Sequence, residues 1–103
     1  MAVAYVQEFK IVGDDRATDN YDAVSERVQA AATGPIKGLI IHTAGWDEDA
    51  GVFRILDVWE SRADADAFIE GTLNPILGEL LAGRDDAPPP DRDGFYELHR
   101  IQQ

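Results

Sequence analysis

The chain has 103 residues, enough for one domain, and 45% of them are hydrophobic, which excludes a disordered protein. Nine Lys and Arg stand against twenty Asp and Glu, and the net charge of −11 repels nucleic-acid phosphates and anionic membranes alike. Cysteine is absent, which excludes disulfides, thiol nucleophiles and thiolate metal ligands. We therefore expect a single domain, residues 1–103, with no nucleic acid and no membrane among its partners.

The N-terminal residues lack the features of a targeting segment. They run directly into a strand-like pattern, without a basic region or a long apolar core. No apolar stretch approaches the roughly 20 residues that span a bilayer. We expect a cytoplasmic location.

The first elements along the chain are a strand and a helix. Apolar residues alternate over residues 3–11, which is typical of a strand, and Gly13 follows. A helix is predicted to begin at Thr18 or Asp19, because either side chain could cap it. The predicted helix carries one apolar stripe, formed by Tyr21, Val24, Val28 and Ala31. Gly34, in a left-handed conformation before Pro35, is predicted to end it.

Two further strands are predicted as a hairpin. The second strand covers residues 38–44 and contains His42, and an acidic connection over residues 45–51 contains Trp46. The third strand covers residues 53–61 and has large apolar groups on both faces, so each face needs a cover. One face carries Phe53, Ile55, Asp57 and Trp59, and the other carries Arg54, Leu56, Val58 and Glu60.

A second helix and a last strand complete the chain. Ser61 precedes Asp64 by three residues, which resembles a capping box. Pro75 falls within the helical stripe, so we expect a kink or two short helices before Gly83. Residues 84–94 predict an exposed, extended loop, and residues 95–101 the last strand.

The predicted order is βαββαβ, the ferredoxin-like α+β fold with a four-stranded antiparallel sheet. Right-handed crossovers place both helices on one face of this sheet. The other face would expose a large apolar surface, which pairing with a second copy would cover. We therefore predict a homodimer.

The residues that join the third strand to the second helix resemble those of a known family. The run Asp57-Val58-Trp59-Glu60-Ser61, together with the element order, is similar to the dimeric α/β-barrel proteins and, within them, to the antibiotic biosynthesis monooxygenase-like group. Members with known roles include cofactor-free oxygenases of aromatic polyketides, cyclases, haem-degrading enzymes and isomerases. Members often carry a His early in the second helix, where this chain has Asp66-Ala67-Phe68-Ile69.

His42 and Asp57 are the candidate catalytic residues. A neutral imidazole in an apolar strand could act as a base near physiological pH, or could be a core or interface histidine with a backbone partner. Asp57 could orient an imidazole or accept a proton, or could form a salt bridge with Arg54 or Arg100. One hairpin register places His42 with Asp57, and a shift of one residue places it on the other face.

Several aromatic residues are candidates for substrate binding. Trp59 could form the floor of a pocket, although a tryptophan in a strand is commonly core. The same alternative applies to the other residues predicted to line the cavity, which are Tyr5, Tyr21, Phe68 and Tyr96. His99 is predicted within the last strand, at a dimer contact.

The sequence indicates neither a metal site nor a cofactor. Two histidines in separate strands form a poor ligand set, and no phosphate-binding glycine loop is present. The resemblance implies a small-molecule enzyme similar to cofactor-free monooxygenases or polyketide-modifying cyclases, acting on an aromatic or enolisable substrate. The alternative is a non-catalytic homodimer that binds a small apolar ligand.

Overall fold

The computed structural model describes residues 1–14, 16–81 and 89–102 of the chain. Its elements follow the predicted order, with the second helix divided into two parts. They are β1 (Val3–Lys10), α1 (Asp19–Ala31), β2 (Leu39–Asp47), β3 (Val52–Trp59), α2 (Arg62–Phe68), a π-helical turn (Ile69–Leu73), α3 (Asn74–Leu81) and β4 (Arg92–Glu97). The strands form one antiparallel sheet in the order β2-β3-β1-β4. The ferredoxin-like α+β fold is confirmed.

The core lies between α2 and the central strands β1 and β3. Val3, Tyr5 and Trp59 are buried there against Ala65 of α2. Trp59 is only 1% exposed and is the largest fully buried side chain of the described residues. Burial of its large apolar surface stabilises the packing of α2 on this end of the sheet.

The start of α2 and the division of the second helix agree with the sequence. The Ser61 hydroxyl accepts a hydrogen bond of 3.1 Å from the Asp64 amide, so Ser61 is the predicted N-cap. The π-helical turn lies directly before α3, whose second residue is Pro75. Pro75 has no amide hydrogen to continue a regular α-helical ladder, which accounts for the predicted break.

By contrast, α1 lies loosely over the sheet. None of its residues is fully buried. An ion pair between Arg27 and Glu79 connects α1 to α3. A second ion pair joins Arg16, which precedes α1, to Glu48, which follows β2. A groove lies between this helix and β2.

The predicted glycine cap of α1 is wrong. The helix ends at Ala31, and the chain leaves through Ala32 in an extended conformation. The left-handed residue is instead Gly38, with φ of 81°, immediately before β2. A Cβ atom at Gly38 would lie 2.4 Å from Asp64 Oδ2, so the close approach of α2 also requires glycine here.

The strand bounds differ from the prediction at two places. β2 continues to Asp47, which brings Trp46 into the sheet opposite Phe53 instead of into a loop. β4 begins at Arg92, three residues before the predicted start, and ends at Glu97, four residues before the predicted end. It ends there because Glu97 pairs with Val3, the first residue of β1. In the predicted loop, residues 84–88 lie outside the described residues, as does Gly83.

The sheet face opposite the helices is called here the helix-free face. Its central side chains are apolar and come from all four strands: Ala4, Val6, Ile41, Leu56, Val58 and Tyr96. Ile41 is 50% and Tyr96 47% exposed. At one end of this face Arg54 pairs with Glu8 and Asp47. None of the helices in the described residues has the length and apolar character needed to cross a bilayer.

Candidate functional site

A β-bulge sets the neighbours of His42. Leu39 pairs with Trp59, but Ile41 pairs with Val58, so Ile40 is an extra residue in β2. The bulge brings both Leu39 and His42 onto the face that the helices cover, although three positions separate them. His42 is consequently the direct cross-strand partner of Asp57. Of the two registers that the sequence leaves open, the structure has the one that joins these side chains.

Three polar side chains form a continuous hydrogen-bonded chain on this face. His42 Nδ1 lies 2.5 Å from Asp57 Oδ1, and His42 Nε2 lies 2.6 Å from the Tyr21 hydroxyl. The Tyr21 and His42 rings are nearly parallel, with an angle of 2° between their planes. A carboxylate only accepts hydrogen bonds, so Nδ1 carries a hydrogen and, in the neutral ring, Nε2 accepts from Tyr21. We call Tyr21, His42 and Asp57 the polar triad.

The electrostatics of the polar triad favour a basic imidazole. The hydrogen bond to Asp57 raises the pKa of His42, and partial burial opposes this effect. Burial raises the pKa of the Tyr21 phenol, and the negative charge of Asp57 raises it further. The Asp57 side chain is 15% exposed and that of His42 is 41% exposed, so the imidazole remains accessible from outside.

The salt bridge considered for Asp57 is not formed with Arg54. Arg54 points to the helix-free face, where its guanidinium donates to Glu8 at 2.6 Å and to Asp47 at 2.8 Å. Its position follows from strand alternation, because Arg54 and Asp57 lie on opposite faces of β3. Asp57 instead holds the imidazole of His42.

An aromatic cluster adjoins the polar triad on the side toward the β2–β3 turn. The Tyr21 ring meets Phe53 edge to face, with centroids 5.6 Å apart, and Phe53 meets Trp46 in the same manner at 5.2 Å. Trp46 is 45% exposed, so the cluster reaches the surface. Sequence reasoning considered Trp46 as a loop residue that either closes over a ligand or is merely exposed. It missed Phe53 as a neighbour of the site, although alternation along β3 already placed Phe53 on the face of Asp57.

The other predicted aromatic residues are distributed over different parts of the domain. Trp59 and Phe68 pack against each other in the core, with ring centroids 5.4 Å apart, and the Trp59 Nε1 atom finds no hydrogen-bond partner among the described residues. Tyr96 lies on the helix-free face, so its predicted place in the same cavity is wrong. His99 is exposed and lies beyond the end of β4, not within it.

Tyr5 lies beside the polar triad but is directed away from it. It is the cross-strand partner of Asp57 on β1 and of Phe95 on β4. Its ring stacks on Phe95 with centroids 4.5 Å apart. Burial, and then the hydrogen bond to Asp93, raise the pKa of Tyr5, which is therefore a neutral phenol that packs the core.

An open groove between α1 and β2 leads to His42. Val28 and Gln29 line it on the helix side, and Leu39, Ile40, Ile41 and His42 line it on the strand side. No residue of α1 is fully buried, so the helix leaves this space open. The lining is largely apolar, with the imidazole at one end, which suits a small apolar or aromatic molecule. Across the described residues, no three His, Asp or Glu side chains converge in a way that would hold a metal ion.

Fold and site together define a ferredoxin-like α+β protein with a polar triad beneath its first helix. The chain has the fold of the antibiotic biosynthesis monooxygenase-like proteins, as comparison with solved structures shows. One is a protein of Chloroflexus aurantiacus J-10-fl described as a putative antibiotic biosynthesis monooxygenase, with TM-score 0.65 and 14% identity over 100% of this chain and 98% of that one.

Two other solved structures share this fold. SnoaB of Streptomyces nogalater, a cofactor-independent oxygenase, gives a TM-score of 0.59 and 20% identity over 97% of this chain and 95% of that one. Rv0793 of Mycobacterium tuberculosis gives a TM-score of 0.55 and 16% identity over 100% of this chain and 98% of that one. No family model matches the sequence, and no curated protein matches it. The resemblance seen in the sequence is thus confirmed at the level of the fold.

Proposed function

We propose that this protein is a small-molecule enzyme in which His42 removes a proton from an aromatic or enolisable substrate. The observation that carries the proposal is the polar triad, in which Asp57 binds one nitrogen of the imidazole and directs the other into the domain. A carboxylate on Nδ1 fixes the tautomer and stabilises the imidazolium that forms when Nε2 takes a proton.

The environment of His42 matches this role. The hydrogen bond to Asp57 raises its pKa, which strengthens it as a base. The α1–β2 groove reaches His42, so a flat molecule lying between Val28 and Leu39 would bring an acidic group to the imidazole. The apolar lining would pack against the faces of a flat ring.

Proton removal leaves an electron pair on the substrate, which can then react in two ways. An enolate can attack a carbonyl of the same molecule and form a ring. Alternatively, it can react with dioxygen. For a methylene group, one oxygen atom becomes the new carbonyl, and the other leaves as water with the two methylene hydrogens. The likeness to a protein described as a cofactor-independent oxygenase supports the second route.

A homodimer is part of the proposal. Ile41 and Tyr96 expose about half of their surfaces on the helix-free face, between the half-buried Leu56 and Val58. Pairing two such faces would remove this apolar surface from water. A two-fold axis would bury the same surface on both copies. The dimeric α/β barrel expected from the sequence would result, and a cytoplasmic location stays a prediction.

Turnover by matched histidine variants tests the proposal. Phenols, hydroquinones and compounds with an activated methylene group are supplied to the protein, and oxygen uptake and products are measured. His42→Gln should lower turnover by about 10²- to 10⁴-fold, the usual contribution of a general base. His99→Gln, which changes an exposed histidine beyond β4, should retain the turnover of the parent protein.

Equal turnover by the parent and His42→Gln proteins would remove His42 as the base. The groove itself supports the rival function, a binding protein for a small apolar ligand, because it is open and apolar whether or not chemistry occurs. Measurable binding of the same compounds, with no product from any of them, would favour that rival.

A further inference from the structure

Tyr21 occupies the one nitrogen of His42 that a substrate would need. An imidazole has two ring nitrogens, and Asp57 takes Nδ1 while the Tyr21 hydroxyl takes Nε2. A substrate hydroxyl can donate to Nε2 only after the Tyr21 hydroxyl has left it. The contact already present is that of a phenol donating to the base.

The surroundings of Tyr21 allow it to leave. It lies in the first turn of α1, and this helix has no fully buried residue to hold it against the sheet. Apart from the hydrogen bond, its ring lies parallel to the His42 ring, with centroids 6.1 Å apart, and has an edge contact with Phe53; the Tyr21 residue is partly exposed. The groove that ends at His42 is lined by Val28 further along α1 and not by Tyr21. A molecule in the groove therefore reaches the imidazole from another side.

We propose that Tyr21 is an internal competitor for His42, and that a ligand must displace its phenol with an acidic hydroxyl of its own, either phenolic or enolic. The inference rests on the proposed function, since it takes Nε2 as the position where substrate binds. It assigns Tyr21 as the residue that determines specificity. Compounds with an acidic hydroxyl gain access to the imidazole, whereas ethers and aliphatic alcohols do not.

The chemistry of the competing donors supports this selectivity. Burial and the nearby Asp57 charge raise the pKa of Tyr21, and a phenol of higher pKa is a weaker hydrogen-bond donor. Because the same environment would act on any hydroxyl placed at Nε2, a ligand phenol that is more acidic than tyrosine would form the stronger hydrogen bond and replace Tyr21. An aliphatic alcohol is a weaker acid than Tyr21 and would not.

The opposite role for Tyr21 is that of a relay. In that case the substrate would donate to the Tyr21 oxygen while Tyr21 donates to His42, and the hydroxyl would help binding instead of opposing it. The two roles predict opposite effects of removing one oxygen atom, so a single substitution separates them.

Binding of 2-naphthol to the Tyr21→Phe variant is the test. The variant keeps the ring and its contact with Phe53 but frees Nε2. In the variant, 2-naphthol can donate a hydrogen bond to Nε2 without first breaking the one from Tyr21. It should therefore bind about five-fold more tightly to Tyr21→Phe than to the parent. The matched ether 2-methoxynaphthalene should bind both proteins equally. Tyr96→Phe, which loses a hydroxyl on the helix-free face, should bind 2-naphthol as the parent does.

Equal or weaker binding of 2-naphthol by Tyr21→Phe would overturn the competitor role. A second measurement uses only the parent protein, with substituted phenols of similar size. Their affinity should rise as their pKa falls, and affinities that ignore acidity would also overturn the inference. Both readouts are independent of turnover. A loss of turnover in His42→Gln with no change of binding in Tyr21→Phe would retain the base and reject the competitor.

Discussion

His42 and Asp57 stand directly opposite each other across β2 and β3, with His42 Nδ1 2.5 Å from Asp57 Oδ1. The pairing depends on a single extra residue, Ile40, in β2. Without it, Leu39 and His42 would lie on opposite faces, and either the core contact of Leu39 with Trp59 or the polar triad would be lost. The bulge therefore serves both packing and the candidate site.

Asp57→Asn should lower the pKa of His42. The hydrogen bond to the Asp57 carboxylate is the largest cause of the raised value, and an amide does not stabilise an imidazolium in the same way. The pKa is read from an NMR titration of the His42 ring protons. Glu26→Gln, which removes an exposed carboxylate from α1, is the control and should leave the His42 titration in place. An unchanged titration in Asp57→Asn would contradict the contact.

The same pair should make stability depend on pH. The pKa of folded His42 is raised above the ordinary value near 6.5, so the folded state binds its proton more tightly than the unfolded state. The resulting stabilisation is complete below about pH 6.5 and disappears as the pH rises through the folded pKa. Because the imidazole is 41% exposed, we expect it to contribute less than about 1 kcal/mol to the free energy of unfolding.

Urea unfolding of the parent and His42→Gln proteins at pH 6 and pH 9 measures this contribution. The difference in free energy of unfolding between the two proteins should be larger at pH 6 than at pH 9. Glutamine does not titrate, and both proteins share all other titrating groups. The pH dependence that those groups contribute therefore cancels when the two proteins are compared. A difference that grows with pH would show that His42 is held in its neutral form.

Gly38→Ala should destabilise the fold more than Gly51→Ala. Both glycines have positive φ, 81° and 70°, so each substitution introduces backbone strain of about 1 kcal/mol. Only at Gly38 would the new Cβ atom collide with a neighbour, Asp64 of α2, while nothing lies within 4 Å at Gly51. Thermal unfolding of the two variants compares strain with and without the collision. Equal losses would show that Asp64 moves aside freely.

Ile41→Asp should separate the predicted dimer into folded monomers. Ile41 is 50% exposed in the single chain, so a charge there costs the monomer little but would be buried between two helix-free faces. Light scattering at micromolar concentration should give twice the mass of the chain for the parent and a single mass for the variant. Val12→Asp changes a residue that is 77% exposed and outside the sheet, and it should remain dimeric. A monomeric parent protein would reject the dimer.

The sequence alone was sufficient for those features that depend on near neighbours in the chain. Alternation along residues 53–61 identified a strand covered on the face of Trp59, the capping residue Ser61 marked the beginning of α2, and Pro75 marked the break after it. Each follows from the local backbone geometry of one or two turns or of one strand. The element order, and with it the fold, followed from these local signals.

Tertiary structure decided which side chains meet. Whether His42 faces Asp57 depends on a bulge at Ile40, and no residue pattern within β2 marks that position. The left-handed glycine is Gly38 and not Gly34 because the approach of Asp64 on α2 selects the position without a side chain. Contact of Tyr21 with His42 requires α1 to lie over β2. Such pairings join residues distant in sequence, and a shift of one residue would exchange the faces, so only the packed domain determines them.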